Sequence, residues 1–334
     1  MKVHGKALEK NLLRVSPERQ VFVYLPPSYD TSTEKRYPVV YFLHGNHKCH
    51  GLPYGLQQAA DSAIGRGLAQ EMIILTPAAH TVSSKNSGSH YVNSQVTGNW
   101  EDFITKDLIA HIDGAFRTLP HRNSRGIAGY SMGGRGSLSL AMKFPDVYAA
   151  VFGMSSGIMW LEHSKGRYGI NAANEGWTPL LEWASGSESG KGPVPPGECS
   201  RLLCFARAYS PNPDRRPLLV DLPYELREGE LKRVDAVWKR WLSFDPVVLA
   251  RSHRENLRRL RAIRFDCGNE DSCFAGNMAL SRVLTEMEIP HAFDEFDGDH
   301  MAEAQRRIET KVLPFFSKFL DFAPPKASSR KGGP

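Results

Sequence analysis

Ser131 stands at the centre of Gly129-Tyr-Ser-Met-Gly133, a pattern that suits a serine raised on a sharp turn between a strand and a helix. An apolar run at 125–130 leads into it and a helix-like stretch at 132–143 leads out. So tight a turn pushes the hydroxyl out of the sheet, and glycine at 129 and 133 avoids a Cβ that would crowd it. A serine hydroxyl is a weak nucleophile at neutral pH and needs a base, commonly a histidine oriented by a carboxylate. His300 closes Asp297-Gly-Asp-His300, after an apolar run at 291–296 and just before the last helical stretch. The acid is expected from the run at 262–267, which ends in Gly268-Asn-Glu-Asp271. Asp271 is favoured, with Glu270 as the alternative. Asp266 lies within the strand, and Asp297 and Asp299 are close to His300 only in sequence.

Acyl transfer through such a set also needs N–H donors for the negative charge that develops on the carbonyl oxygen. One is the backbone N–H of Met132, directly after the serine. The other is assigned to Asn46, because Val39-Val-Tyr-Phe-Leu-His44-Gly45-Asn46 reads as an early strand ending in a His-Gly loop. That loop carries His44, His47, Cys49 and His50 within seven residues, which invites a metal reading. No second ligand pair with matching spacing accompanies them, so no metal is expected.

These residues require elements that deliver them to one place. Strands are read at 20–25, 39–43, 72–76, 125–130, 147–153, 262–267 and 291–296 from their β-branched and aromatic content. Helices are read at 99–116, 132–143, 234–242, 246–260, 275–287 and 301–322 from apolar residues at three- and four-residue spacing. Such alternation implies an α/β fold with a mostly parallel central sheet covered on both faces. It breaks at 155–250, where runs such as Ser185-Gly-Ser-Glu-Ser-Gly and Pro193-Val-Pro-Pro-Gly form loops. One domain is expected over 1–322, with 155–250 as a cap-like insertion and 323–334 as a disordered basic tail.

Composition narrows the function classes. The chain has 334 residues, 41% hydrophobic and 23% charged, with a net charge of +6, and no apolar stretch near the roughly 20 residues of a membrane span. Six arginines against one glutamate at 251–264 read as a solvated helix face; with no nucleic-acid reader motif beside them, no nucleic-acid partner is expected. Five cysteines are too few and odd in number for a disulfide framework, although Cys199 and Cys204, in a loop-like region, could pair in an oxidising compartment. Met1-Lys-Val-His-Gly-Lys lacks the apolar core of a signal peptide, which implies a cytoplasmic chain or an exported one without its signal. Nothing in the pattern requires a subunit interface.

Taken together, Val23-Tyr-Leu-Pro-Pro-Ser-Tyr, Tyr37-Pro-Val-Val-Tyr-Phe-Leu-His-Gly, Asn99-Trp-Glu-Asp-Phe, Ile127-Ala-Gly-Tyr-Ser-Met-Gly-Gly, Asp266-Cys-Gly-Asn-Glu-Asp and Asp297-Gly-Asp-His resemble the esterase D or feruloyl-esterase-like branch of the α/β-hydrolases. The resemblance spans residues 20 to 300 in the family's order. It implies a cofactor-free carboxylic ester hydrolase using Ser131, Asp271 and His300 on a small-molecule ester. Acyl transfer to an acceptor other than water uses the same residues. An S-formylglutathione-hydrolase-like thioesterase fits less well, since that relative lacks so large an insertion. A binding protein that kept the fold and lost the chemistry is disfavoured by the full set of site residues. Trp160, Trp177, Trp183, Trp238 and Trp241 fall in the insertion, and Trp100 opens a helix near the site. Trp100, Trp160, Trp238 and Trp241 are expected to contact an aromatic or bulky acyl group, the alternative being that these rings pack the insertion onto the sheet.

Overall fold

Val39–Leu43, Ile73–Pro77 and Ala150–Met154 are buried at every position, as strands covered on both faces must be. The computed structural model describes residues 1–46, 49–81, 88–159, 171–172, 174–185 and 197–324. We number the strands of its central sheet β1 (Lys2–His4), β2 (Glu18–Tyr24), β3 (Val39–Leu43), β4 (Ile73–Pro77), β5 (Arg125–Tyr130), β6 (Ala150–Met154), β7 (Ala262–Gly268) and β8 (Ala292–Phe296). Their order across the sheet is β1-β2-β4-β3-β5-β6-β7-β8. β2 is antiparallel to both neighbours, and every pair from β4 to β8 is parallel. The carboxyl ends of β3, β5, β7 and β8 therefore open on one edge of the sheet. This is the mostly parallel, doubly covered sheet that the sequence implies.

Alternation along the strands divides the core. Val39, Tyr41, Leu43 and Ile127 join an apolar cluster on one face, whereas Val40, Phe42, Ala128 and Phe152 face the other. α1 (Leu56–Gly65) covers the second face and α2 (Leu108–Ala115) the first. α3 (Met132–Lys143), which follows β5, sends Leu138, Leu140 and Met142 into the first cluster. Each such fully buried side chain contributes about 1.5–3 kcal/mol of transfer free energy.

Between β6 and β7 the described residues form α4 (Trp177–Ser185), α5 (Glu198–Tyr209), an antiparallel hairpin of Tyr224–Arg227 with Glu230–Arg233, and α6 (Asp235–Leu242). They enclose an apolar cluster of their own, with Trp177, Leu202, Phe205, Tyr209, Trp238 and Trp241 inside. After β7 come α7 (Phe274–Glu286) and, last, α8 (Leu313–Phe319). Of the tail read at 323–334, all but the first two residues lie outside the described residues. No helix among the described residues is long and apolar enough to cross a membrane.

Two local expectations are corrected. Cys199 and Cys204 are not in a loop but on α5, five residues apart, and point to different carbonyls, those of Gly176 and Gly88. All five cysteines are free thiols. The stretch read as one helix at 246–260 is two, Pro246–Ser252 and Arg254–Arg258, broken at His253.

Candidate active site

Ser131 caps α3 with φ +56° and ψ −115°, a conformation that costs a non-glycine residue about 1–3 kcal/mol and persists only where its surroundings enforce it. The enforcement is visible. Its N–H donates to the Met154 carbonyl at 2.9 Å, and its own carbonyl accepts from Gly157 at 2.8 Å and Arg135 at 3.0 Å. Gly133 makes the turn possible, since a Cβ there would run into the carbonyls of Leu43 and His44. The serine side chain is left partly exposed at the sheet edge.

His300 follows β8, and its Nδ1 lies 2.7 Å from Asp271 Oδ2. The Asp271 carboxylate is fully buried, while the imidazole is about one-third exposed (35%). Asp271 Oδ1 also accepts the Cys273 N–H at 2.9 Å, and its Oδ2 the Cys267 thiol at 3.3 Å. Burial alone would raise the Asp271 pKa; the hydrogen bond and charge of His300, with the N–H of Cys273, bring it below the ordinary carboxylate value. An ionised Asp271 accepts from Nδ1–H and so leaves Nε2 of a neutral ring as an acceptor. The other acids are elsewhere: Glu270 is exposed, Asp297 accepts from Asn269, and Asp299 caps the Met301 N–H.

Ser131, His300, Asn46 and Met132 all line one cavity of about 300 Å³. Met132 is the first residue of α3, so its N–H is one that no helical carbonyl can take. The Asn46 loop is braced on both sides: its Oδ1 accepts the Gly88 N–H at 2.8 Å, and the Tyr54 hydroxyl accepts the Gly45 N–H at 2.9 Å. Met159, Arg201 and Phe205, from the segment between β6 and β7, also reach the cavity.

The described tryptophans do not. Trp100 is fully buried against Phe103 and donates its Nε1–H to the Thr97 carbonyl. Trp238 and Trp241 pack inside the cluster between β6 and β7, and Trp241 borders a separate crevice of about 10 Å³. Trp160 lies outside the described residues. Packing, and not the lining of this cavity, is what Trp100, Trp238 and Trp241 do.

The histidine-rich loop offers no clustered ligand set among the described residues. His44 is buried, with Nε2 accepting the Ala79 N–H at 2.8 Å and Nδ1 directed at the Gly45 carbonyl at 2.7 Å. Cys49 turns to the Gly51 carbonyl, burial raises its pKa to about 11, and His50 is exposed. His47 lies outside the described residues. The group whose ligand atoms do lie within 4.8 Å of one another is Asp271, Cys273 and His300. Two of these are already bonded to each other, and burial pushes the third up to about 12, which keeps its thiol protonated.

Sequence reasoning missed the support beneath this edge. Tyr130 donates its hydroxyl to the His300 carbonyl. Behind it, Arg307 Nη1 meets Asp266 Oδ1 at 2.6 Å, both side chains at or below 3% exposure. Arg307 also donates to Ser155 Oγ at 3.2 Å.

Comparison with known proteins decides the family. The family model described as Esterase matches residues 14–306. The chain belongs to the esterase family. An esterase of Mycobacterium tuberculosis is 31% identical over 282 residues, which is 84% of this chain and 52% of that protein; the chain thus spans about half the length of the curated relatives it matches. Among solved structures, a ferulic acid esterase superposes with a TM-score of 0.64 at 20% identity, covering 96% of this chain and 97% of the other. An S-formylglutathione hydrolase from Agrobacterium tumefaciens gives 0.60 at 16% identity, with 96% and 94% covered. At those identities they share the fold of this esterase-family chain: an α/β-hydrolase sheet.

Proposed function

We propose that this esterase-family chain hydrolyses carboxylic esters through an acyl-enzyme on Ser131. The observation that carries the reading is that Ser131, on its strained turn, lines the same cavity as His300, whose Nδ1 is bonded to a buried carboxylate. Ser131 Oγ attacks the ester carbonyl while His300 Nε2 takes its proton. The imidazolium that forms is stabilised by Asp271, which stays ionised. The N–H groups of Met132 and Asn46 receive the charge on the tetrahedral oxygen. His300 then returns the proton to the departing alcohol, and water, activated by the same imidazole, releases the acid. The described residues between β6 and β7 act as a cap, which closes the cavity with Met159, Arg201 and Phe205.

The test is hydrolysis of p-nitrophenyl acetate by the intact chain and by Ser131→Ala. The reading predicts turnover in the first and a loss of at least about a thousandfold in the second, because the residues of such a set act as a unit. Equal rates in both would remove Ser131 from the chemistry.

A further inference from the structure

Two arginines line the cavity that holds Ser131 and His300. Both are more than nine-tenths buried: Arg135 is 3% exposed and Arg201 7%. Their charges are not equally compensated. Arg201 holds Glu198 Oε2 through Nε at 2.9 Å and Nη2 at 2.5 Å. Arg135 has only neutral partners: Nη2 donates to the His90 carbonyl at 2.6 Å, Nη1 to the Phe244 carbonyl at 3.4 Å, and the Tyr209 ring centroid lies 5.2 Å from its guanidinium carbon. No carboxylate among the described residues pairs with it. Asp245, which borders the adjoining crevice with Arg135, accepts the Val247 N–H and forms no ion pair with it.

A buried cation without a counter-charge is unfavourable, and a guanidinium has five N–H donors, of which two are taken by carbonyls. Arg135 lies four residues after Ser131 on α3, one turn along the same face, so the charge cannot be far from the nucleophile. His90, also on the cavity wall, adds no further cation: burial first, then the charges of Arg135 and Arg201, push its pKa well below the ordinary histidine value.

We propose that Arg135 anchors a carboxylate, or another small anionic group, carried by the ester substrate. The inference rests on the ester-hydrolase reading above and narrows it to anionic esters. A carboxylate matches the guanidinium fork and its remaining donors, and a cavity of about 300 Å³ has room for a small acyl or alcohol group beside it. The anion can belong to the acyl or to the alcohol part of the ester, and two pairs of substrates separate these sources.

For the acyl side, kcat/KM is measured on mono-p-nitrophenyl succinate against p-nitrophenyl pentanoate. For the alcohol side it is measured on 4-acetoxybenzoate against methyl 4-acetoxybenzoate. The proposal predicts that the anionic member wins by at least about tenfold in one pair, the discrimination a charge-assisted hydrogen bond supplies. That ratio collapses toward one in Arg135→Met and is partly retained in Arg135→Lys. Labelling by a neutral fluorophosphonate probe reports whether each variant is folded with an activated serine. Should Arg135→Met not fold, the wild-type and Arg135→Lys ratios still decide. Hydrolysis of the neutral esters with no anionic preference in either pair, or a preference unchanged in Arg135→Met, overturns the inference and leaves the esterase reading standing. No hydrolysis of any of the four, with no labelling, overturns the esterase reading itself.

Discussion

Tyr130, the residue before Ser131, is hydrogen-bonded through its hydroxyl to the main-chain carbonyl of His300. The strand that delivers the serine thus also holds the loop that delivers the histidine. Tyr54 stacks on Tyr130 with centroids 4.3 Å apart and accepts the Gly45 N–H, which ties the Asn46 loop into the same bracket. Tyr130→Phe keeps the ring and removes the bond. An unmade buried hydrogen bond costs about 1–3 kcal/mol, so kcat on a p-nitrophenyl ester should fall about tenfold or more with KM little changed. Unaltered kcat would show that the bracket does not position the histidine.

Asp271→Asn should lower kcat by about three to four orders of magnitude, because the amide no longer holds the imidazole in the productive tautomer or stabilises its charge. It should also change the acid limb of stability. The Asp271 pKa is lower in the folded chain than unfolded. Its contribution is therefore fully present above the unfolded value near 4 and disappears as pH falls through the folded value. Denaturant midpoints of the wild type and Asp271→Asn should accordingly converge below about pH 4. A constant separation across that range would contradict the assignment.

Gly133→Ala places a methyl group against the Leu43 and His44 carbonyls, which are backbone atoms and cannot swing aside. Overpacking of this kind costs about 1–3 kcal/mol. The expected outcome is a lowered melting temperature together with loss of fluorophosphonate labelling, as the turn opens to admit the methyl. A variant that melts and labels like the wild type would mean the turn is looser than the geometry shows.

Arg307→Met strands the buried Asp266 carboxylate without its partner. Breaking such a pair costs about 3–5 kcal/mol, which thermal unfolding would register as a large drop in Tm. Asp266→Asn in the same background should recover part of the loss, because the uncompensated charge is gone. Burial already raises the Asp266 pKa to about 6 despite Arg307, so the carboxylate is poised to respond to that change.

Much of the site is legible in the chain because its signals are local. Val39–Leu43 and Arg125–Tyr130 are nearly continuous apolar runs, Ser131 directly follows one strand, and Asp271 and His300 each follow another by a short loop. What escapes the sequence is what depends on distant parts meeting. Tyr130 with His300 and Asp266 with Arg307 join residues 170 and 41 positions apart, and no periodicity marks either pair. β1 is three residues long and depends on β2 for its pairing, too short for a pattern. Tryptophan density identified an aromatic segment but not which way its rings face, and Trp238 and Trp241 face their own cluster. Arg135 reads in sequence as one more polar residue on a helix; only burial beside the cavity makes it conspicuous.

The central claim is that Ser131 is an activated nucleophile, and the most direct measurement is the site of covalent attachment of a fluorophosphonate probe. The intact chain should gain the mass of one adduct, and peptide mass spectrometry should place it on Ser131, with labelling abolished in Ser131→Ala and strongly slowed in His300→Ala. An adduct on any other residue, or none in a folded wild-type chain, would contradict the account.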